Sequence, residues 1–185
     1  MLAFDSTILS LLLFEDAELH QGPDGLPVEY ARDRVLGLLQ GIEEAKEVVL
    51  IPTPALAEVL VNESVDDQVV LSTLRESAHL RIAGFDERAA VELAFRLRKA
   101  RAEGDMREGL KITKAAMKFD RQIVAIALVN RATTLYSDDA GVATFAAGCG
   151  LRVVGVAELP LPPKQNEFPF ADECNAETGR PSAED

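Results

Sequence analysis

A chain of 185 residues, 48% of them hydrophobic, is long enough to bury a core within a single domain. Its formal net charge of -12 excludes the coating of nucleic acid by its whole surface and favours solubility. Cys149 and Cys174 are too few for a disulfide framework or a zinc cluster, so thiols in a reducing compartment, by default the cytoplasm, are expected. The apolar run from Ile8 to Phe14 is too short for a membrane span, and no basic segment precedes it, so no membrane association is expected.

Apolar runs separated by turn-forming residues predict an alternation of strands and helices. In the first half the predicted elements are a strand over 1–5, a helix over 6–13, an exposed loop over 15–27, a helix over 28–46 and a strand over 48–51. Ser6 and Thr7 are suitable caps for the first helix, and Thr53 with Pro54 suits the start of the next one. That helix carries Glu58, and its apolar neighbours predict that Glu58 lies near the margin of the core.

The second half continues the alternation. Its predicted elements are a helix opened by Asp66 and Asp67, a strand or extended link over 79–85, a helix capped by Asp86, a central helix from about 112, a strand over 133–137, a short helix through 145 and a strand over 151–156. Because no hairpin turn interrupts this order, we predict an α/β fold with a central parallel sheet flanked by helices on both faces. Prolines and acids dominate from Pro160 onward, which predicts a mobile tail.

Acidic residues recur where a strand ends or where a helix borders the apolar core. They are Asp5, Glu58, Asp120 and the pair Asp138 and Asp139. Ligands of open parallel sheets bind at the carboxyl ends of the strands, where these acids could converge. Carboxylates within about 4–6 Å of one another repel unless a cation lies between them. Oxygen donors without histidine or cysteine favour Mg²⁺ or Mn²⁺, which activates water for hydrolysis of a phosphodiester.

Each acid also has a purely structural interpretation. The local sequence suits helix caps at Asp138 and Asp139, a turn residue at Asp5, a solvated helix residue at Glu58, and at Asp120 either a helix cap or a pair with Lys118 or Arg121. The ordered combination is more informative than any single acid.

Four segments resemble, in order, the motifs of the PIN-domain nucleases, and most closely the VapC-like ribonuclease toxins of bacterial toxin–antitoxin pairs. They are Phe4 to Thr7 with the first acid, Pro52 to Glu58 with the second, Asp120 to Leu128 with the third, and Leu135 to Asp139 with the fourth. The resemblance implies a three-layer PIN-like α/β fold. It also implies a PIN-like nuclease domain over 1–157, followed by an acidic, proline-containing tail over 158–185.

The resemblance implies an endoribonuclease that depends on Mg²⁺ or Mn²⁺, that is often a homodimer, and that has a cognate antitoxin protein as its partner and RNA as its substrate. The implied catalytic residues are Asp5, Glu58, Asp120 and Asp139. The implied metal ligands are Asp5, Asp120 and Asp139, with Asp138 either assisting or only capping a helix. Asp139 is the better match to the fourth acid because one residue separates it from the hydroxyl of Ser137. Weaker candidates for substrate binding are Ser6, Ser137, Lys118 and Arg121.

Several features depart from the compact toxins and keep other interpretations open. The loop over 15–27 is long, the tail is an addition, and the overall charge is strongly acidic. A stand-alone PIN nuclease and a non-catalytic PIN-like module that binds RNA or protein are therefore alternatives. The segment from Arg96 to Arg121 carries nine basic and four acidic residues, which either steer an RNA backbone or form a solvated helix face.

Other residue types give weaker signals. Tyr30 and Tyr136 offer few platforms for stacking with bases, since the chain has no tryptophan. His20 and His79 are predicted to be loop and structural residues, and Cys149 a small buried group. No glycine-rich loop follows a strand, which argues against nucleotide binding of that kind.

Overall fold

The structure is a computed structural model that describes residues 1–14, 17, 22, 25–61, 66–102 and 114–161. Within these ranges the elements, in chain order, are β1 (Leu2–Phe4), α1 (Ser6–Leu13), α2 (Ala31–Glu44), β2 (Val49–Pro52), α3 (Thr53–Leu60), α4 (Asp67–Glu76), β3 (Leu80–Ala83), α5 (Glu87–Ala102), α6 (Lys114–Val129), β4 (Thr134–Tyr136), α7 (Ala140–Gly148), β5 (Arg152–Val154) and a short 3₁₀ helix at Val156–Glu158.

The five strands form one parallel sheet in the order β3-β2-β1-β4-β5. Helices flank this sheet in a three-layer arrangement, so the predicted α/β fold is confirmed. From β1 the chain extends the sheet in one direction through β2 and β3, and then returns to add β4 and β5 on the other side of β1. The strand order therefore reverses between β1 and β4, which is the position where open parallel sheets bind their ligands.

Helix α6 is buried on every side over residues 123–127, as the apolar sequence of this stretch predicts. Its residues from Ile123 to Ala127 are all at most 1% exposed. The helix packs against α5, α7 and α3. Because α6 cannot rotate without exposing this apolar surface, it holds Asp120, three residues before Ile123, in a defined place.

Several local predictions are wrong, each for a simple reason. Asp5, and neither Ser6 nor Thr7, caps α1. Helix α3 begins at Thr53 and has no side-chain cap, because Thr53 already lies inside the helix. Asp120 caps no helix, since α6 begins at Lys114 and Asp120 lies in its interior. The predicted caps at Asp66 and Asp86 are confirmed by their hydrogen bonds to backbone amides of α4 and α5.

Two predictions of burial also need correction. Glu58 is exposed instead of lying near the margin of the core, because α3 buries its opposite face, which includes Ala55, Leu56 and Val59. Cys149 is only half-buried, because it follows directly on the last turn of α7.

Some predictions fall outside the described residues: most of the loop over 15–27 with His20, residues 103–113 of the basic segment, and the tail from 162 onward with Cys174. The division of the chain at residue 157 stays a prediction. None of the helices in the described ranges is long and apolar enough to cross a membrane.

Candidate active site

The register of the sheet brings Asp5 and Ser137 together at its carboxyl edge. Phe4 in β1 lies opposite Tyr136 in β4, so the residues that follow these strands meet at the strand ends. The hydroxyl of Ser137 donates a hydrogen bond to Oδ2 of Asp5. Both residues are buried, with Asp5 only 1% exposed. The first predicted acid therefore lies at the point where the strand order reverses.

Several hydrogen-bond donors hold the carboxylate of Asp5, but its burial still disfavours the charged form. Its Oδ1 accepts hydrogen bonds from the Thr7 amide at 2.9 Å, the Thr7 hydroxyl at 2.6 Å and the Ile8 amide at 3.4 Å. These bonds favour the charged form, as does the bond from Ser137. Loss of hydration on burial outweighs them and raises the pKa of Asp5 to about 6. A cation beside Asp5 would reverse this effect.

Asp120 is the residue whose pKa the charges of the other acids raise. It is 8% exposed, and burial is the main reason why its pKa is raised to about 6. The negative charges of Asp139, Glu58 and Asp5 raise this pKa further, in that order of size. Since electrostatic effects of this kind fall off with distance, these three acids lie within electrostatic range of Asp120.

Asp139 and Glu58 form the solvent-exposed side of this region. Oδ1 of Asp139 accepts a hydrogen bond from the Val142 amide at 2.8 Å and so caps α7. The amide of Asp139 donates to the hydroxyl of Ser137 at 3.0 Å, which ties Asp139 to the same serine that binds Asp5. Glu58 extends from α3, which packs against α6. The region thus has a buried pair of acids, Asp5 and Asp120, and an exposed pair.

The donor set fits a hard divalent cation in its chemistry. All four side chains offer carboxylate oxygens, the ligands preferred by Mg²⁺ and Mn²⁺. Their mutual repulsion, seen in the raised pKa of Asp120, is the effect that such an ion would relieve. Within the described ranges, however, no three acidic, histidine or cysteine side chains are grouped closely enough to hold a metal ion. Binding would therefore require these carboxylates to come closer together than they lie here.

The other predicted metal ligand, Asp138, has a different partner. Its Oδ1 accepts a hydrogen bond from the Val156 amide at 2.7 Å. Asp138 does not cap α7, because Asp139 does. Its carboxylate therefore connects the end of β4 to the turn that follows β5.

The four candidates for substrate binding differ in their placement. Ser137 lies among the acids, and Ser6 is half-buried in the first turn of α1. Lys118 is exposed on α6. The guanidinium of Arg121 lies over the ring of Phe145, 5.3 Å from its centre. Their contribution to substrate binding stays a prediction.

Within the basic segment, Arg96 forms an ion pair with Glu92 of the same helix, with 2.7 Å between Arg96 Nε and Glu92 Oε1. His79 contacts the backbone carbonyl of Glu47 through Nδ1 at 2.9 Å. These contacts give both residues a structural role.

Thr7, which the sequence also suggested as a residue of the acidic site, connects two segments of that site through its hydroxyl. Its hydroxyl donates to Asp5 and accepts a hydrogen bond from the Asp138 amide at 3.2 Å. A threonine two residues after an acid gives a local hint of the first contact. The second contact joins residues far apart in sequence, so only the fold reveals it.

Comparison with solved structures finds chains of two DNA-bound VapBC structures. A chain in the crystal structure of VapBC2 from Rickettsia felis, bound to a DNA fragment from their promoter, is 16% identical, with 83% of this chain and 97% of that chain covered and a TM-score of 0.52. A chain in the crystal structure of DNA-bound VapBC from Salmonella typhimurium is 12% identical, with 84% and 97% covered and a TM-score of 0.49. Comparisons with family models and with curated proteins give no match. At this identity the likeness to the Rickettsia structure is one of fold, and it confirms that the chain has the PIN-like α/β fold that its motifs resemble.

Proposed function

We propose that the protein is a divalent-metal-dependent ribonuclease whose site is formed by Asp5, Glu58, Asp120 and Asp139. The observation that carries this proposal is that Ser137 joins the buried Asp5 to the Asp139 backbone at the carboxyl edge of the sheet, while the charges of Asp139, Glu58 and Asp5 help to raise the pKa of the buried Asp120. Strongly shifted carboxyl groups of this kind cluster at functional sites. Their position at the reversal of strand order supports the same conclusion.

Each residue has a part in this proposal that follows from its placement. Asp5, Asp120 and Asp139 would hold Mg²⁺ or Mn²⁺. The bound ion would lower the pKa of a water molecule and stabilise negative charge on the phosphodiester. Ser137 orients Asp5 and the backbone of Asp139. Glu58 lies in solvent at the rim of the site, where its carboxylate can accept a proton from the attacking water.

The proposed biological role is that of a VapC-like toxin restrained by an antitoxin protein. The fold shared with a chain of a toxin–antitoxin complex and the ordered resemblance of the four motifs support this role. Induction of the protein alone should arrest growth, and co-induction of a neighbouring antitoxin gene should relieve the arrest. Absence of arrest by an active nuclease would favour a stand-alone enzyme.

Cleavage of RNA by the purified full chain tests the enzymatic part of the proposal. A labelled RNA should be cut in Mn²⁺ or Mg²⁺ and left intact in EDTA. Asp120→Asn should lower the rate at least about a hundredfold, because it removes a ligand charge from the site. Asp66→Asn changes an exposed acid that caps α4 and should have no effect. Wild-type activity in Asp120→Asn would show that the acids are not the active site.

A non-catalytic PIN-like module is the second candidate. The observation that favours it is that the described acids are not already grouped at metal-binding distances. A thermal melt with increasing Mn²⁺ separates the two candidates, because a ligand that binds the native state raises its melting temperature. The nuclease proposal expects a rise that Asp120→Asn abolishes, whereas a module without a metal site gives a flat response.

A further inference from the structure

Asp138 stands between two residues of the proposed site and contacts a different part of the fold. Its Oδ1 accepts from the Val156 amide at 2.7 Å, at the start of the 3₁₀ helix that follows β5. This bond spans the gap between the β4–α7 connection and the β5 turn. The side chain of Asp138 therefore reaches across the edge of the sheet.

The backbone on either side of Asp138 is fixed at three successive amides. The Ser137 amide donates to the Val154 carbonyl at 3.0 Å, and the Asp138 amide donates to the Thr7 hydroxyl at 3.2 Å. The Asp139 amide donates to the Ser137 hydroxyl at 3.0 Å. The bond from the Val156 amide to the carboxylate of Asp138 is a fourth connection. Asp138 thus contacts α1 through its amide and the segment after β5 through its side chain. These bonds determine where Ser137 and Asp139 point.

Gly155 provides the space that this arrangement needs. A Cβ atom at residue 155 would lie 2.9 Å from Oδ1 of Asp138, which is closer than carbon and oxygen atoms pack. The φ of Gly155 is -83°, an ordinary value, so glycine is required here for room and not for conformation. Oε1 of Glu158 accepts from the Gly155 amide at 3.0 Å and holds the turn in place.

We propose that Asp138 is a positioning residue of the site and not a metal ligand: its carboxylate, bound to the Val156 amide in the space left by Gly155, holds the backbone that presents Ser137 to Asp5 and Asp139 to Asp120. The inference rests on the proposed function for the identity of the site. It assigns the roles of the two neighbouring acids, with Asp139 acting directly and Asp138 acting through the backbone.

Two substitutions of Asp138 distinguish a positioning residue from a metal ligand. The quantity to compare is the affinity of the full chain for Mn²⁺, measured by electron paramagnetic resonance. Asp138→Asn keeps an oxygen that can accept from Val156, and should bind Mn²⁺ within about threefold of wild type. Asp138→Ala removes the acceptor and should weaken binding about tenfold, as loss of an outer-shell partner does. If Asp138→Asn weakens Mn²⁺ binding as much as Asp138→Ala, Asp138 acts through its charge and the proposal is wrong.

Amide hydrogen exchange without metal tests the positioning independently of the proposed function. In Asp138→Ala the amides of Val156 and Asp139 should exchange roughly fivefold to tenfold faster, as expected for the loss of a hydrogen bond, whereas Asp138→Asn should restore slow exchange. Unchanged exchange of both amides in Asp138→Ala overturns the proposal. Failure of the wild type to bind Mn²⁺ or cut RNA would instead overturn the proposed function, and the exchange result would still decide the role of Asp138.

Glycine substitutions provide a matched pair. Gly155 follows β5 and Gly84 follows β3, but a Cβ at residue 84 meets no atom within 4 Å. Gly155→Ala should therefore displace the Asp138 carboxylate and speed exchange at Val156 to the level of Asp138→Ala, while Gly84→Ala leaves it unchanged. Equal, wild-type exchange in both variants would contradict the role given to Gly155 and Asp138.

Discussion

Two aspartates cap helices with the same local geometry and differ in almost everything else. Oδ1 of Asp5 accepts from the amides of Thr7 and Ile8 at 2.9 and 3.4 Å, and Oδ1 of Asp66 accepts from those of Gln68 and Val69 at 2.8 and 3.4 Å. Asp66 is exposed before α4, whereas Asp5 is buried at the centre of the sheet. The cap alone therefore does not distinguish a functional acid from a structural one.

The environment of each carboxylate distinguishes Asp5 from Asp66. Asp5 receives additional hydrogen bonds from the hydroxyls of Thr7 and Ser137, yet burial still raises its pKa to about 6. A neutral residue such as asparagine or serine at this position could cap α1 without this electrostatic penalty. Retention of a carboxylate where its charge is unfavourable is the pattern expected of a site that binds a cation.

The largest contrast between the two caps should appear in catalysis. Asp5→Asn should lower the rate of RNA cleavage in Mn²⁺ at least about a hundredfold, since a ligand charge is lost from the metal site. Asp66→Asn should cleave at the wild-type rate. Quantitative cleavage of a labelled RNA under single-turnover conditions measures both. Comparable rates in the two variants would remove the functional distinction between the caps.

Asp5→Asn, which should lose activity, should gain stability at neutral pH in the absence of metal. The folded pKa of Asp5, about 6, lies above its ordinary value of 3.8, so the native state binds this proton more tightly than the unfolded state. The contribution of Asp5 to stability is therefore greatest below pH 4 and is lost as the pH rises to about 6. At pH 7 in EDTA, Asp5→Asn should be more stable than wild type by about 1–3 kcal/mol.

Urea unfolding at pH 7 and pH 4 checks this sign. The gain of Asp5→Asn should disappear at pH 4, where the native Asp5 is already protonated. Asp66→Asn should change stability little at either pH, since asparagine and aspartate cap helices about equally well. A loss of stability in Asp5→Asn at pH 7 would contradict the electrostatic account of the site.

The smallest contrast concerns the residues two positions after each cap, Thr7 and Gln68. Thr7→Val removes the hydroxyl that donates to Asp5 and accepts from the Asp138 amide, and should lower stability by about 1 kcal/mol and slow cleavage severalfold. Gln68→Ala changes an exposed residue and should shift stability by less than about 0.5 kcal/mol. Chemical unfolding and the cleavage assay report both quantities, and equal effects would assign Thr7 no part in the site.

The sequence predicts the fold well because its strongest signals are long apolar runs. The parallel sheet, the buried helix α6 and the placement of Asp5 at a strand end all follow from such runs. The prediction that Ser6 or Thr7 caps α1 is wrong because aspartate, serine and threonine all suit the capping position, and the local sequence does not rank them. The exposure of Glu58 depends on which face α3 turns towards its neighbours, which short apolar stretches do not determine.

The features of the site that the sequence does not predict are contacts between segments far apart in the chain. Asp138 meets Val156, Ser137 meets Asp5, and Thr7 meets the Asp138 amide only after the strands have paired. No periodicity of the sequence encodes these contacts. The distinction between Asp138 and Asp139 therefore depends on the fold, although spacing from Ser137 already favoured Asp139 as the fourth acid.

A titration of the full chain with Mn²⁺ at neutral pH tests the central claim most directly, namely that acids from four segments form one metal site. Electron paramagnetic resonance of unbound Mn²⁺ should show a site in wild type and in Asp66→Asn, and binding at least about tenfold weaker in Asp5→Asn, Asp120→Asn and Asp139→Asn. Wild-type affinity in these three variants, or no binding by the wild type, would contradict the claim.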